Sequence, residues 1–365
     1  MTTPRRRSSV RPAAGRRVTI TDVAHAAGVS IAVVSYALNG RPGVSESTRR
    51  HVLRVADDLG WRPNAAARSM RSSHLASIGL QALAGRAATH SSPAGLELAA
   101  GLRAAVPDVA LAVEVALDRA AGAASLEAAW TERRHSSFVV QDLLLDDPRA
   151  RTAERVQAPV VAVTPPGLGT AGVAHGLWFD GGAEAGVGRY LADLGHRRFV
   201  LLVQDARVDV ARALHAGLLD AAAGLRATVE VVEATSAPEA GAAAARLFTT
   251  PGRPTAIVTD GDVTALAVLE AARHRELSVP WDVSVVSGAD AETCRLVEPQ
   301  LTAISRPWRD LAPALVTALG ADAVPASSRS AADTQADEHD AVRPLPAARL
   351  VIRGTTAPPP AAART

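Results

Sequence analysis

The chain has 365 residues, too many for a single hydrophobic core, so two or three domains are expected. Its 48% hydrophobic and 21% charged residues are ordinary for a soluble globular protein. Arg5, Arg6 and Arg7 are not followed by an apolar core, which argues against a signal peptide. No apolar run approaches the roughly 20 residues that span a bilayer, so we expect a cytoplasmic protein without a membrane partner.

The net charge of +2 hides an uneven distribution along the chain. Residues 1–74 contain 13 Arg and 4 acidic residues, a net charge of +9, and the remainder carries −7. A basic segment on an acidic body is typical of a protein that binds a polyanion, although a solvated basic tail would carry the same charge.

The residue types present exclude several kinds of catalysis. All 39 basic residues are Arg, so no Walker lysine, Schiff base or Ser–Lys nucleophile is available. Cys294 is the only cysteine, which excludes a disulfide framework and a thiolate zinc site. The sequence contains no H-E-x-x-H and no G-x-S-x-G. We therefore expect no catalytic residue, no metal site and no cofactor.

The segment after the first 17 residues, which read as a disordered basic arm, predicts two helices joined by a tight turn. Thr19 with Asp22 three residues later forms a capping box, and Gly28 supplies the positive φ that stops the first helix. Ser30 caps a second helix through about Leu38.

The second helix is predicted to expose apolar side chains. Val34, Ala37 and Leu38 are placed inward by helical spacing, which leaves Ile31, Ala32, Ser35 and Tyr36 outward. Apolar residues near the start of an exposed helix face suit thymine methyl groups in a major groove; packing on a neighbouring domain is the alternative.

A third helix and a short basic helix follow. Ser45 caps the third helix, whose apolar stripe ends before Gly60. Asn64 of Trp61-Arg62-Pro63-Asn64 can cap a helix over 65–71 that is too short to persist alone in water.

After His74, short apolar runs alternate with Ala-rich helices, which predicts parallel α/β sheets in two lobes. Predicted strands are 78–80, 110–115, 138–140, 160–163, 177–179, 199–203, 229–232, 256–258 and 283–286, and predicted helices are 96–105, 126–134, 183–194, 212–223, 238–247 and 263–273. Gly167-Leu168-Gly169-Thr170-Ala171-Gly172 matches a dinucleotide fingerprint, but a strand follows it in place of a helix, so we interpret it as a loop.

Residues 18–71 resemble the DNA-binding headpiece of the LacI/GalR family of bacterial repressors. The resemblance rests on VTITDVAHAAGVSIAVVSYALNG, VSESTRRHV and LGWRPNAAARSM, which follow the family's spacing without a gap. By this resemblance the DNA-contacting residues are Thr19, Ser30, Ile31, Ala32, Ser35, Tyr36, Asn39, Ser45, Thr48, Asn64, Ala67, Arg68 and Met70. Val33 and Tyr36 depart from a usual Thr and Arg, and Met70 stands where a Leu usually kinks the duplex, so the operator sequence does not transfer from relatives.

The resemblance continues to the C-terminal part of the chain through Leu194-Gly195-His196-Arg197-Arg198, Val279-Pro280-x-Asp282 and Leu350-Val351-x-Arg353. It implies an all-α helix-turn-helix headpiece followed by an α/β, two-lobed effector domain of the periplasmic-binding-protein-like type I fold. The implied segments are an arm (1–17), a helix-turn-helix domain (18–62), a hinge helix and linker (63–74), an effector-binding and dimerisation domain (75–356) and a disordered tail (357–365). Lobe 1 would comprise about 75–177 and 306–343, with a loose insertion over 321–343, and lobe 2 about 178–305 and 344–356.

The effector site is less typical of the family. The stretch after the first strand lacks the usual Pro and aromatic residues, and Ser287-Gly288-Ala289-Asp290 keeps one of two usual carboxylates. The resemblance points to Asp180, Arg212, Asp262 and Asp290 near the cleft. Trp178, Trp281 and Trp308 could form a sugar platform, or pack in the hinge or core.

These observations predict a transcriptional regulator, most simply a repressor, that binds a pseudo-palindromic operator as a homodimer. Its small-molecule effector would be a carbohydrate. The alternatives are a regulator with a vestigial, non-sugar or absent effector site and, further off, a solute-binding protein or an α/β enzyme.

Overall fold

The computed structural model describes residues 19–38, 43–59, 77–83, 91–165, 175–180, 182–323 and 345–360. It divides the chain into two units, residues 1–74 and 75–365, and each is considered by itself. The described part of the first unit, 19–59, is called the headpiece, and that of the second, 77–360, the effector domain.

The headpiece contains α1 (Ile20–Ala27), α2 (Ile31–Leu38) and α3 (Glu46–Asp58). The predicted capping box is present: the Thr19 hydroxyl accepts from the Asp22 N–H, and the Thr19 N–H donates to the Asp22 carboxylate at 2.8 Å. Buried residues from all three helices form one small core, which includes Val23, Val34 and Val52. This core holds the three helices together as one unit.

Lobe 1 of the effector domain is built on a parallel five-stranded sheet in the order β2-β1-β3-β4-β5. Its strands are β1 (Ser77–Leu83), β2 (Ala110–Ala116), β3 (Ser137–Gln141), β4 (Val160–Val163) and β5 (His175–Leu177). Its helices are α4 (Ser91–Ala105), α5 (Arg119–Thr131) and α6 (Pro148–Val156), with a 3-10 turn (Trp308–Leu311) and α12 (Ala312–Ala323) from later in the chain.

Lobe 2 is built on a six-stranded sheet in the order β11-β10-β9-β8-β6-β7, in which only β11 is antiparallel to its neighbour among the described pairs. Its strands are β6 (Arg198–Val203), β7 (Thr228–Glu233), β8 (Ala256–Thr259), β9 (Ser284–Ser287), β10 (Thr302–Ser305) and β11 (Arg349–Val351). Its helices are α7 (Ala183–Asp193), α8 (Asp209–Ala222), α9 (Ala237–Leu247), α10 (Asp262–His274) and α11 (Thr293–Leu296).

Two glycines allow α7 and α8 to lie unusually close. A Cβ on Gly188 would come within 2.4 Å of the Gly217 carbonyl oxygen, and a Cβ on Gly217 within 2.6 Å of the Glu184 carbonyl oxygen. Any larger residue at either position would push the helices apart, because backbone atoms cannot yield as a side chain can. The two helices therefore pack backbone to backbone at these glycines.

Two expectations from the sequence need correction. Residues 357–360 are not part of a disordered tail: Ala357 is buried, and its N–H and carbonyl both hydrogen bond to the Ser284 hydroxyl at 3.1 Å. The strand predicted at 177–179 ends at Leu177, because Trp178 and Phe179 turn into the core where the chain leaves lobe 1. The expected arm, the hinge over 63–74, the Gly-rich loop at 167–172 and most of the insertion lie outside the described residues.

Candidate DNA interface and effector cleft

The turn between α1 and α2 has the geometry of a helix-turn-helix. Gly28 adopts φ +66°, and its N–H caps the end of α1. The two helices meet at a bend of 98°, within the range of about 90–120° for helix pairs that place a second helix in a DNA groove. The turn therefore presents α2 as a separate surface element.

The outer face of α2 carries apolar side chains that the headpiece core does not use. Ile31 and Tyr36 are each 42% exposed and Ala32 is exposed, whereas Val34 and Ala37 are buried. Ser35 is half-buried between the two sets. An exposed strip of this kind at the start of a helix suits the methyl groups and base edges of a major groove.

Three of the hydroxyls predicted to contact DNA, those of Thr19, Ser30 and Ser45, cap helices. Ser30 accepts the Val33 N–H at 3.3 Å, and Ser45 accepts the Thr48 N–H at 3.2 Å and lies 2.8 Å from the Thr48 hydroxyl. The Thr19 hydroxyl donates to Asp22 at 2.7 Å. Each cap leaves other N–H groups at the helix N-terminus, where phosphate oxygens are favoured. The remaining predicted contacts, Asn39, Asn64, Ala67, Arg68 and Met70, lie outside the described residues.

The four predicted effector residues come from four separate segments of lobe 2. Asp180 is exposed, and its backbone pairs with Pro346 and Ala348 beside the crossover from lobe 1. Arg212 lies in the first turn of α8, and its Nη1 is buried without a hydrogen-bond partner among the described residues.

Asp262 and Asp290 lie closer together, on either side of Cys294. Asp262 accepts from the Thr293 hydroxyl at 2.6 Å, and Asp290 forms a 2.9 Å ion pair with Arg353. Burial, with the charges of both aspartates, raises the pKa of the Cys294 thiol to about 11. The ion pair means that Asp290 already has a partner within the protein.

Sequence reasoning missed a buried charged cluster at the carboxyl ends of the lobe 1 strands. Arg149 and Asp147 are fully buried and joined by two hydrogen bonds, from Nε to Oδ1 at 3.0 Å and from Nη2 to Oδ2 at 2.9 Å. Arg119 donates to the Asp142 carbonyl at 2.8 Å. The pKa of Asp147 is held below its usual value because its bonds to Arg149 outweigh the cost of burial. The hydrogen bonds of these two arginines are therefore made mainly to other groups of the protein.

A signal for this cluster was present in the sequence. Asp146-Asp147-Pro148-Arg149 follows a strongly apolar strand, and ligands of open α/β sheets bind beyond the carboxyl ends of strands. Asp147 caps α6 and Pro148 begins it, which are typical residues for a helix start. The charged run indicates a site only when the strand before it is considered together with the helix after it.

The crossovers between the lobes hold an aromatic cluster. Phe179 lies 5.4 Å from Trp178 and 4.8 Å from Trp308, both edge to face. Arg306 stacks on Trp178 at 5.2 Å and donates to Glu184 at 2.5 Å and to the Gly288 carbonyl at 2.6 Å. Trp281, by contrast, is 69% exposed. Trp178 and Trp308 thus pack at the crossovers, the second of the two roles considered for them.

The described residues hold no candidate metal site and no single helix that could span a membrane. No group of three or more His, Cys, Asp or Glu side chains in them could hold a metal ion. No single helix among them is long and apolar enough to cross a membrane. The bent pair of α1 and α2 has the required length and composition only when the two helices are taken together.

Known protein families match both units of the chain. Residues 19–64 match the family described as "Bacterial regulatory proteins, lacI family". Residues 189–356 match the "Periplasmic binding protein-like domain".

Individual proteins extend these matches over most of the chain. The HTH-type transcriptional repressor PurR of Escherichia coli O139:H28 is 29% identical over 309 residues, covering 79% of this chain and 85% of its own length. The lac repressor dimer bound to operator and the anti-inducer ONPF has a similar fold, with a TM-score of 0.71 and 24% identity over 94% of this chain and 100% of its own. The complex of the regulator CelR with cellobiose has a TM-score of 0.60 and 21% identity over 93% and 100% of the two chains.

Proposed function

Since this chain belongs to the LacI family of bacterial regulatory proteins, we propose that it is a transcriptional repressor that binds a pseudo-palindromic operator as a homodimer. The observation that carries the proposal is the exposed face of α2. Ile31, Ala32 and Tyr36 lie outside the core of a headpiece whose segment carries a net charge of +9. Charge of that sign supplies affinity for any DNA, and the apolar face supplies selection among sequences.

The proposed mode of binding assigns each part of the N-terminal segment a role. The N-terminal half of α2 would lie in the major groove of each half-site, with the caps at Ser30 and Ser45 near phosphates. Asn64, Ala67, Arg68 and Met70 would order in the minor groove, where an apolar Met70 could separate a base step. Because a twofold dimer repeats these contacts, its operator should be an inverted repeat.

Selection of operators from genomic DNA would test this proposal. Sheared genomic fragments are incubated with the full chain at about 100 mM salt, and the retained fragments are sequenced. We expect enrichment of an inverted repeat and a steep loss of affinity as salt is raised. A matched control replaces Ile31 and Tyr36 with Ser, which should preserve retention of random DNA and abolish enrichment. Equal retention of all fragments by the unaltered protein would refute sequence-specific binding.

A reporter placed downstream of the enriched sequence would then test the sign of regulation. A repressor should lower reporter output when expressed, and an activator should raise it. The proposed action is on the nucleoid in the cytoplasm and requires binding without catalysis.

We further propose that a small molecule in the cleft between the lobes modulates DNA affinity. The cleft is supported by the two sheets, whose carboxyl ends meet where Leu144 of lobe 1 pairs with Val208 of lobe 2. A ligand that prefers one lobe arrangement would shift the equilibrium between arrangements, and by linkage the affinity for DNA.

A carbohydrate is the first candidate for that ligand, and an absent or vestigial effector site is the second. The second is favoured by a specific observation: Arg149 and Asp290, which could hold sugar hydroxyls, are already paired with Asp147 and Arg353. Thermal-shift screening against sugars, polyols and nucleosides separates the two, since a ligand that binds only the native state raises the melting temperature. A shift of several degrees that is saturable in one compound supports the sugar site, and uniformly absent shifts support the vestigial one.

A further inference from the structure

The two lobes meet at a backbone bridge that brings two carboxyl groups together. Leu144, after β3, pairs antiparallel with Val208, before α8, and the Asp209 N–H donates to the Leu143 carbonyl at 2.9 Å. Asp142 of lobe 1 and Asp209 of lobe 2 flank this bridge, and Asp209 is only 1% exposed. Their positions depend on the contact between the lobes, since each lobe contributes one of the two.

Apart from Asp209, the charged groups nearest Asp142 come from lobe 1, and Asp205 of lobe 2 faces one of them, Arg119. Arg119 of α5 and Arg149 of α6 donate to its carbonyl oxygen at 2.8 and 3.2 Å, and Asp147 lies on the far side of both. Arg149 bonds Asp147 with two of its nitrogens. The two arginines thus partly offset a cluster of three acidic groups, of which Asp209 is the third.

Asp209 has fewer partners. Its Oδ1 accepts the Val210 N–H at 2.7 Å, and its Oδ2 is buried without a hydrogen-bond partner among the described residues. Thr164 faces it from the end of β4, and Arg212 lies one turn further along its own helix. An ionised carboxylate in this position has lost water without gaining a cation, which is unfavourable.

Both carboxyl groups therefore hold protons more tightly than usual. Burial raises the pKa of Asp209 from 3.8 to about 7, and the neighbouring charge of Asp142 adds to the shift. Burial raises the pKa of Asp142 to about 6, although Arg149 and Arg119 oppose the change. If the lobes separate, both groups return to water and their pKa values fall towards the ordinary value.

We propose that Asp142 and Asp209 form a proton-sensitive contact between the lobes, through which acidification favours the closed arrangement of the effector domain. This inference rests on the proposed function, because lobe closure matters to DNA only in a regulator. The proton would then act as an effector alongside, or in place of, a small molecule.

Linkage between proton binding and lobe closure gives the direction of the pH effect. The closed arrangement binds more protons than the open one between about pH 4 and pH 7, so closure strengthens as the pH falls from about 7 towards 4 and no longer depends on pH above about 7. Titration of Asp209 alone changes the closure equilibrium by at most about tenfold for each pH unit, and Asp142 adds to the change below about pH 6.

Amide hydrogen exchange measures this contact directly, because the Asp209 N–H spans the two lobes. The full chain is labelled at pH 5.5 and pH 8.0, and protection factors are obtained after correction for intrinsic exchange rates. We expect peptides containing residues 143–145 and 207–210 to be about tenfold or more better protected at pH 5.5. Peptides from β8, buried in the lobe 2 sheet, should keep the same protection at both values.

Asp209→Asn and the matched control Asp146→Asn complete the test. Asn cannot ionise, so the variant should lose the part of the pH response that Asp209 supplies and keep only the smaller part that Asp142 supplies. It should also melt at a higher temperature than the unaltered protein at pH 8. Asp146 is exposed in the same loop, so its variant should keep the pH response. An unchanged pH response in Asp209→Asn, or none in the unaltered protein, would overturn the inference.

Operator binding by the unaltered protein at a fixed pH keeps the two proposals apart. Specific binding without any pH response in the bridge peptides defeats only the proton contact. A pH response in those peptides without specific DNA binding defeats the proposed function while leaving the contact itself intact.

Discussion

In the headpiece, charged groups and several apolar side chains share the surface, whereas in the effector domain a charged cluster lies in the interior. Ile31 and Tyr36 remain 42% exposed around a core of small aliphatic residues, while Arg149 and Asp147 are fully buried. The headpiece can therefore lose surface side chains without unfolding, and the effector domain cannot lose one partner of its buried pair. The headpiece thus presents functional side chains to an outside macromolecule, whereas the effector domain keeps its charged groups in the interior.

The largest effect on stability is expected from removing one member of the buried pair of Arg149 and Asp147. Asp147→Ala leaves Arg149 charged and without its carboxylate in the interior, so we expect the effector domain to lose about 3–5 kcal/mol of unfolding free energy. Urea unfolding followed by tryptophan fluorescence measures the loss. Asp146→Ala, at the exposed neighbouring position, should change stability by less than about 0.5 kcal/mol. Similar losses in both variants would contradict the importance of the pair.

Acid titration tests a second buried group of the effector domain. His196 donates from Nε2 to the Ala357 carbonyl, which leaves Nδ1 to accept from the Thr255 hydroxyl, and burial lowers its pKa from 6.5 to about 4. Because the native state holds the neutral form, its contribution is complete above pH 6.5 and is lost as the pH falls towards 4, by up to about 3 kcal/mol. Urea midpoints at pH 7.5 and 4.5 should differ less in His196→Gln than in the unaltered protein, and an equal difference would contradict the assignment.

Replacing an exposed apolar residue of the headpiece should affect DNA and leave the fold intact. Ile31→Ser removes a predicted groove contact, and we expect operator affinity to fall about tenfold, or roughly 1.4 kcal/mol, without a change in melting temperature. Fluorescence anisotropy with a labelled operator measures the change. Leu53→Ser is a matched control, since Leu53 is 46% exposed but lies on α3. If the control weakened binding as much as Ile31→Ser, α2 would not be the reading helix.

The smallest expected effect concerns a helix cap. Ser45→Ala removes the bond to the Thr48 N–H at the start of α3, which should cost the headpiece about 1 kcal/mol. Circular dichroism of the headpiece transition measures the cost. Because Ser45 is also a predicted phosphate contact, a loss of affinity larger than the loss of stability would indicate both roles.

Local signals predicted the headpiece well because its structure is set by nearby residues. Thr19 with Asp22, Gly28 and Ser45 lie within a few residues of the helix ends that they define, and each forms the predicted cap or turn. In the effector domain, the strands with strong apolar runs were predicted close to their observed bounds. The weak strands β10 and β11 were not, since β11 has three residues and exists through pairing with β10.

The candidate cleft was predicted less well because it depends on contacts between distant segments. Asp142 and Asp209 are brought together only by the bridge between the lobes, and neither residue has an unusual sequence around it. Charge alone did not distinguish them from exposed aspartates such as Asp146. Asp290 was expected to face a ligand, but it forms an ion pair with Arg353, which no local sequence pattern indicates. Its assignment to the effector site, like the others, stays a prediction.

The late return of the chain to both lobes has a consequence for synthesis on the ribosome. The lobe 1 helix α12 and the lobe 2 strand β11 are both made after the rest of their lobes. The headpiece is complete within the first 74 residues, so it can fold while most of the effector domain is still unmade. A nascent chain stalled before residue 345 would therefore present a folded headpiece on a body without its last strand. Translation order thus gives this protein an interval in which its two units mature separately.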